Sequence, residues 1–261
     1  MKRFLRLFGN SVLLLSLSAC APLLLSLRSG VGGDVRWSAG HESGDLSEWR
    51  PGGKEAVFNT GTGRVAVSDT YARTGRYSLA LSVEDSAQQT QAARIFQNTV
   101  FEASDTPQSA YFSAWFYFPE HVQTRANWWN VLQFKTRTEK RNDPTFVLNV
   151  NGPEEGMMTF YLFSTLIRQS YTQSEPLALP LNEWVHVEVK YTASPFKNGA
   201  VVVWQDGKEI LNVQGVQTNY ADAKVDFSIN NYGADLNPDP TIYVDDVAIS
   251  DKRLGAELFK E

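Results

Sequence analysis

Gln133, Lys135 and Arg137 alternate with Leu132 and Phe134 along one run of the chain, and two later runs repeat the pattern. In one, Asn149 and Asn151 interleave with Phe146, Leu148 and Val150; in the other, Asp226, Ser228, Asn230 and Tyr232 interleave with Phe227 and Ile229. Successive side chains of an extended strand point to opposite faces, so the apolar members of each run pack inward and the polar members share the other face. Val131 falls on that polar face by the same alternation. The surface so formed is rich in amides, carries cations and holds a tyrosine. Amides and cations hold and neutralise a carboxylate, and a phenol accepts or donates a proton. Trp128 and Trp129 stand side by side at the start of the first run. One should face the core and the other the groove or its rim, where an indole stacks on a ligand. Trp129 is the binding candidate taken forward. The stretch from Lys135 to Arg141 has four cations against one acid. Such a patch suits an anionic polymer, although a solvated hairpin tip would look the same.

These side chains need rigid strands beneath them. From Asp34 onward no long stretch has helical period, whereas twelve short runs of alternating or continuous apolar residues lie between positions 56 and 249, broken by Gly, Pro, Asn and Asp. The pattern predicts an all-β sandwich of two antiparallel sheets. Asp206-Gly207 between Val201-Val202-Val203-Trp204 and Ile210-Leu211 predicts a tight hairpin turn. With no internal repeat or low-complexity linker, residues 34–261 read as one domain. His186 shares a strand face with Trp184, Glu188 and Lys190 and reads as structural, since His41 and His121 are the only other histidines and no triad spacing emerges.

Composition narrows the partners. The chain has 261 residues, 24 Lys plus Arg against 29 Asp plus Glu, and a formal charge of −5, so sequence-independent binding to duplex nucleic acid is disfavoured. A single cysteine, Cys20, excludes an internal disulfide framework and a Cys-based zinc cluster. Lys2, Arg3 and Arg6 followed by an apolar run through Leu17 form the charged and apolar regions of an export signal over residues 1–27. The run closes on Leu17-Ser18-Ala19-Cys20, which resembles the bacterial lipobox and implies lipidation of Cys20. Ala21-Pro22-Leu23-Leu24-Leu25 is apolar after the cysteine, so a simple signal or an uncleaved anchor is the alternative. Each version places the domain outside the cytoplasm in the bacterial cell envelope, tied to the membrane by a lipid anchor or apolar segment. A monomer is expected.

Two segments at opposite ends of the domain carry a resemblance: His41-Glu42-Ser43-Gly44-Asp45-Leu46-Ser47-Glu48-Trp49 and Ile242-Tyr243-Val244-Asp245-Asp246-Val247-Ala248-Ile249. They look like the first and last strands of a concanavalin A-like jelly roll. Between them come Tyr71-Ala72-Arg73-Thr74-Gly75-Arg76-Tyr77-Ser78-Leu79, Trp115-Phe116-Tyr117-Phe118-Pro119, Trp129-Asn130-Val131-Leu132-Gln133-Phe134-Lys135 and Asn182-Glu183-Trp184-Val185-His186-Val187. In this order the segments resemble the polysaccharide lyases of the heparin lyase I-like and glucuronan lyase-like group.

The resemblance implies β-elimination on an acidic, uronate-containing polysaccharide. Gln133 or Asn149 would hold the sugar carboxylate, and Tyr232 would act as base and acid. Lys135 stands where these lyases commonly carry histidine. Arg137, Asn149, Asn151, Asn230 and Trp129 would bind the polymer. It also implies a structural calcium ion held first by Glu42 and Asp246, with Asp45 and Asp245 as further candidates, because calcium takes about six to eight oxygen ligands. A noncatalytic, lectin-like carbohydrate-binding module of the same fold is the alternative, favoured by Lys135. No Glu-x-Asp-x-x-Glu pattern of a glycoside hydrolase is present.

Overall fold

β-branched and aromatic side chains pack well on a pleated surface, and runs rich in them favour extended chain. The computed structural model describes residues 35–49 and 56–256, and there these runs become sixteen strands. In chain order they begin with β1 (Val35–Ala39), β2 (Arg64–Ser68), β3 (Ser78–Ser82), β4 (Gln91–Phe101), β5 (Gln108–Tyr117) and β6 (Gln123–Thr124). There follow β7 (Trp129–Arg137), β8 (Asn142–Asn151), β9 (Thr159–Ser164), β10 (Gln169–Tyr171) and β11 (Trp184–Ala193). The last are β12 (Gly199–Gln205), β13 (Lys208–Val216), β14 (Lys224–Gly233), β15 (Leu236–Asn237) and β16 (Thr241–Ser250). The segment holding Cys20 and the proposed signal lies outside the described residues.

Two large antiparallel sheets form the sandwich. One has eight strands in the order β13-β12-β11-β5-β16-β3-β2, with β1 also paired to β16; the other has six in the order β10-β9-β8-β7-β14-β4. Between them the inward halves of the alternating strands meet. Phe134 of β7 stacks on Tyr191 of β11 at 3.9 Å between ring centroids and meets Phe112 of β5 edge-on at 4.8 Å. Phe146, Leu148, Val150, Phe227 and Ile229 are buried in the same core. The hairpin forms as expected: Asp206 and Gly207 have φ of 48° and 82°, and β12 and β13 pair across them. The run expected as a strand at 56–58 contributes only an isolated bridge, Val57 to Ile95. That bridge still lays the segment along the open edge of β4.

One irregularity redirects the site. The register of β7 shifts between Asn130 and Leu132 against β8, and that of β14 shifts between Ile229 and Tyr232 against β7. Such a bulge adds a residue and re-aims its neighbours. Val131, expected on the polar face, is buried in the core cluster, and Asn130 is hydrogen-bonded to the polar face instead. A polar tie then joins the two sheets: Trp129 Nε1 donates to Asn231 Oδ1 at 2.8 Å, and Asn231 Nδ2 donates to the carbonyls of Leu81 and Pro240 at 2.9 and 2.8 Å.

His186 is fully buried in the eight-stranded sheet, with Nε2 2.7 Å from Ser113 Oγ and its ring 4.9 Å from that of Trp115. Burial, reinforced by the charges of Arg73 and Arg253, lowers its pKa from 6.5 to about 4. Below pH 6.5 the unfolded chain binds a proton that the folded chain refuses, so stability falls as pH drops through this window toward 4. The loss attributable to His186 is about 2 kcal/mol between pH 7 and pH 5, by the usual 1.4 kcal/mol per pKa unit. Urea denaturation at the two pH values measures it. His186→Gln, which keeps a partner for Ser113, should flatten the difference; an unchanged pH slope in the variant would refute this account.

Candidate functional site

The outward face of the six-stranded sheet brings the polar halves of β7, β8 and β14 together. Register places Gln133 opposite Ser228 and Val147, and Asn130 opposite Asn149 and Tyr232. Four side chains then close into a chain of hydrogen bonds. Ser228 Oγ donates to Asn230 Oδ1 at 2.9 Å, Asn230 Nδ2 to Asn130 Oδ1 at 2.8 Å, and Asn130 Nδ2 to Gln133 Oε1 at 3.1 Å. All four are buried. A satisfied buried network holds its members in place, because breaking any bond strands a polar group in low dielectric. This amide floor is thereby preorganised. Gln133 accepts with its oxygen, and among the described residues its amide N–H groups donate to no protein acceptor.

Tyr232 rises beside the floor. Its ring meets Trp128 edge-on at 5.0 Å, and the guanidinium carbon of Arg94 lies 5.1 Å from its centroid on the other strand. Arg94 is fixed by donating from Nε to the Phe58 carbonyl at 2.9 Å and from Nη2 to Thr60 Oγ1 at 3.1 Å. Burial depresses its pKa, and the tyrosine acts in the opposite direction. Lys135 stands opposite Asp226, six residues along β14 from Tyr232, with Nζ 5.4 Å over the ring of Phe96. Burial first, and the nearby Arg94 charge second, hold its pKa below the ordinary lysine value, while Asp226 and Asp143 work against this. Arg137 is paired with Asp226 through Nε to Oδ2 and Nη2 to Oδ1, both 3.1 Å, and Nη2 also donates to Thr99 at 3.0 Å. Arg94, Phe96, Lys135 and Arg137 line a recess of about 140 Å³ with Phe58 and Asp226.

A family model described as polysaccharide lyase matches residues 41–248. The chain belongs to the polysaccharide lyase family. Among curated proteins no sequence matches it. Solved structures share the fold of this polysaccharide lyase-family chain. The endo-β-1,4-glucuronan lyase of the fungus Trichoderma reesei is 13% identical with a TM-score of 0.60, over 83% of this chain and 95% of that one. The cellulose-induced protein Cip1 is 13% identical with a TM-score of 0.55, over 84% and 98%. The marine PL-14 alginate lyase of Aplysia kurodai is 12% identical with a TM-score of 0.53, over 83% and 98%. The fold is thus the jelly-roll sandwich that the end segments suggested.

Within this lyase-family domain the site candidates separate. Gln133 and Asn230 share the floor, Asn149 lies beside Asn130, and Tyr232 stands over it. Asn151 is exposed two residues further along β8. Trp129 is a correction: it is fully buried, bonded to Asn231, and has no face for a ligand. Its half-buried neighbour Trp128 is the indole that reaches Tyr232. Asn130 and Arg94 were missed. Arg94 had a signal, since it and Phe96 alternate with Ala93 and Ile95, both fully buried.

The calcium candidates do not form an ion site. Glu42 accepts from the backbone N–H groups of Arg76 and Tyr77 at 2.8 to 3.0 Å. Asp45 is exposed and accepts from Ser43 Oγ and the Ser47 amide. Asp245 accepts from the amides of Arg73 and Thr74, and Asp246 from Arg73 Nη1 and Thr74 Oγ1, both at 2.9 Å. Gly75, at φ 63°, lets Glu42 approach, for a Cβ there would stand 2.3 Å from the carboxyl carbon. Among the described residues no three His, Cys, Asp or Glu side chains make a set that could hold a metal. The expected calcium therefore meets donors already committed within the chain. Arg73 brings the positive charge itself, with its guanidinium 3.8 Å over Trp115. Burial and Asp245 raise the pKa of Asp246, and Arg73 and Thr74 offset this.

Two outcomes follow for the clasp. A chelator should leave the thermal midpoint unchanged, and Arg73→Ala should cost about 3–5 kcal/mol because it strands the buried Asp246 charge. Calorimetry with and without EDTA tests both; a midpoint that drops in EDTA would restore the ion.

Proposed function

We propose that this chain cleaves an acidic polysaccharide by β-elimination on the outward face of the six-stranded sheet. The observation that carries the reading is Tyr232 held between Trp128 and Arg94 above a buried, hydrogen-bonded amide floor. Elimination removes the proton beside the uronate carboxyl group, forms a carbon–carbon double bond with that electron pair, and breaks the bond to the glycosidic oxygen, which takes up a proton. The carboxylate must be held and its charge offset, or the adjacent carbon will not release its proton. The amide N–H groups of Gln133, which donate to no protein acceptor among the described residues, hold it, with Asn149 alongside. Tyr232 removes the proton and returns one to the leaving oxygen. Arg94, over its ring, stabilises negative charge on the phenolic oxygen during transfer. The glucuronan and alginate named for the structural neighbours are both acidic polymers, in accord with an acidic substrate.

Lys135 serves as a cation for a neighbouring carboxylate. Its place opposite Asp226 separates it from Tyr232, and its stem lies against Phe96. That separation also favours the second reading, a binding module without chemistry, since no group in the His position of related lyases shares a proton with the tyrosine.

Ultraviolet absorbance of the new conjugated double bond, followed on a panel of uronate polymers, decides between them. Tyr232→Phe should abolish the rise, by about 10³-fold or more, while leaving retardation in polymer-containing gels unchanged. Retardation of the unaltered chain with a flat absorbance trace would establish the binding module. The pH profile tests Lys135. A cation with a lowered pKa loses its charge at lower pH than an ordinary lysine, so the rate should fall on the alkaline side below pH 10.5. Lys135→Arg, charged throughout, should move that fall upward; an unmoved profile would remove Lys135 from binding.

A further inference from the structure

The groove across the six-stranded sheet is electrically lopsided. Six strands span about 24 Å at the usual spacing of about 4.8 Å, room for several consecutive sugars. Arg94 of β4 and Lys135 of β7 line one recess, and among the described residues neither is within salt-bridge distance of a carboxylate. Arg137 beside them is neutralised by Asp226. At the opposite end, β9 and β10 contain no charged residue, and the acid of β8, Asp143, lies toward Lys135. Asn151, Thr159, Tyr161, Ser170 and Thr172 line a recess of about 480 Å³ there. Tyr161 donates to the Asn127 carbonyl at 2.9 Å, and burial raises its pKa, so it stays a neutral hydroxyl. In the adjoining recess Arg125 is held by Gln123 and shares the space with Glu154, which leaves no surplus of positive charge.

We infer that the substrate is a heteropolysaccharide in which uronate residues alternate or are interspersed with neutral sugars, cleaved where a uronate at the centre has a neutral neighbour over β8 to β10. This rests on the proposed elimination reaction for its catalytic half, and on the groove alone for its binding half. A homopolyuronate would lay carboxylates along the uncharged half, where amides and hydroxyls supply hydrogen bonds but no counter-charge. It would also approach a chain of net charge −5, whose overall field opposes a densely charged polyanion more than a sparsely charged one. A neutral sugar meets no such cost and uses the same amides and hydroxyls.

The experiment uses the full chain and two readouts on the same polymers. Homopolymers of glucuronate, mannuronate and galacturonate are set against polymers in which a uronate alternates with a neutral sugar. Initial elimination rate is followed by absorbance, and binding by retardation in native gels containing each polymer. The expected result is a preference of about tenfold for at least one mixed polymer over every homopolymer, the worth of one charge-assisted hydrogen bond. Thr159→Lys, which adds a cation to the neutral end, should narrow that preference by raising the retardation and the elimination rate of the homopolymers. Homopolymers cleaved and bound as well as mixed polymers, with Thr159→Lys neutral between them, would overturn the inference. A flat absorbance trace with mixed polymers retarded more strongly removes the elimination reading and keeps this one. A flat trace with homopolymers retarded equally or more removes both.

Discussion

A strand gives its side chains alternately to two faces, and in β7 and β14 one face is the aromatic core and the other the floor of the groove. The two roles cannot be varied independently. Phe134 packs against Tyr191 and Phe112, and that packing fixes the backbone from which Gln133 and Lys135 project. Phe227 and Ile229 do the same for Ser228 and Asn230. The precision of the amide floor is thus inherited from the density of the core behind it, since a close-packed interior transmits small displacements. Asn231 extends the coupling to the other sheet by binding Trp129 with one end of its amide and the carbonyls of Leu81 and Pro240 with the other.

Electrostatics divides the domain into two regimes. On the groove side, Arg94 and Lys135 keep their charge available for a ligand, at the cost of partial burial that weakens their hold on the proton. On the eight-stranded sheet, charge is consumed internally. Glu188 is fully buried and accepts from Arg253 and from the amide of Leu254, while Asp245 and Asp246 are saturated by the 73–74 turn. One face carries cations without an ion pair among the described residues, and the other pairs its buried acids within the chain.

Much of this could be read from the chain, and the exceptions have local causes. The inward sets Leu132 and Phe134, Phe146 to Val150, and Phe227 and Ile229 follow from period-two alternation, as does the Asp206-Gly207 turn. Alternation fails at Val131 because a bulge inserts one residue, and nothing in Asn130-Val131-Leu132 announces it. The same irregularity hid Asn130 from the floor. For Trp128 and Trp129, strand parity says that they part company but not which goes inward; the buried amide of Asn231, about a hundred positions away, decides. Arg94 was legible by the alternation that placed the other groove residues. Arg73 was not, since its carboxylate partner is 173 positions further along the chain.

The guanidinium that pairs with Asp246 bears on the proposed acidic substrate. Uronate polymers are themselves ligands for divalent cations, because their carboxylates and hydroxyls are the hard oxygens such ions prefer. On the proposed acidic substrate, a fold closed by an exchangeable ion would compete with that substrate for the ion, and would loosen as substrate accumulates. Arg73 is covalently part of the chain. It cannot be sequestered, so the tie between the 73–74 turn and β16 does not depend on the mineral content of the surroundings.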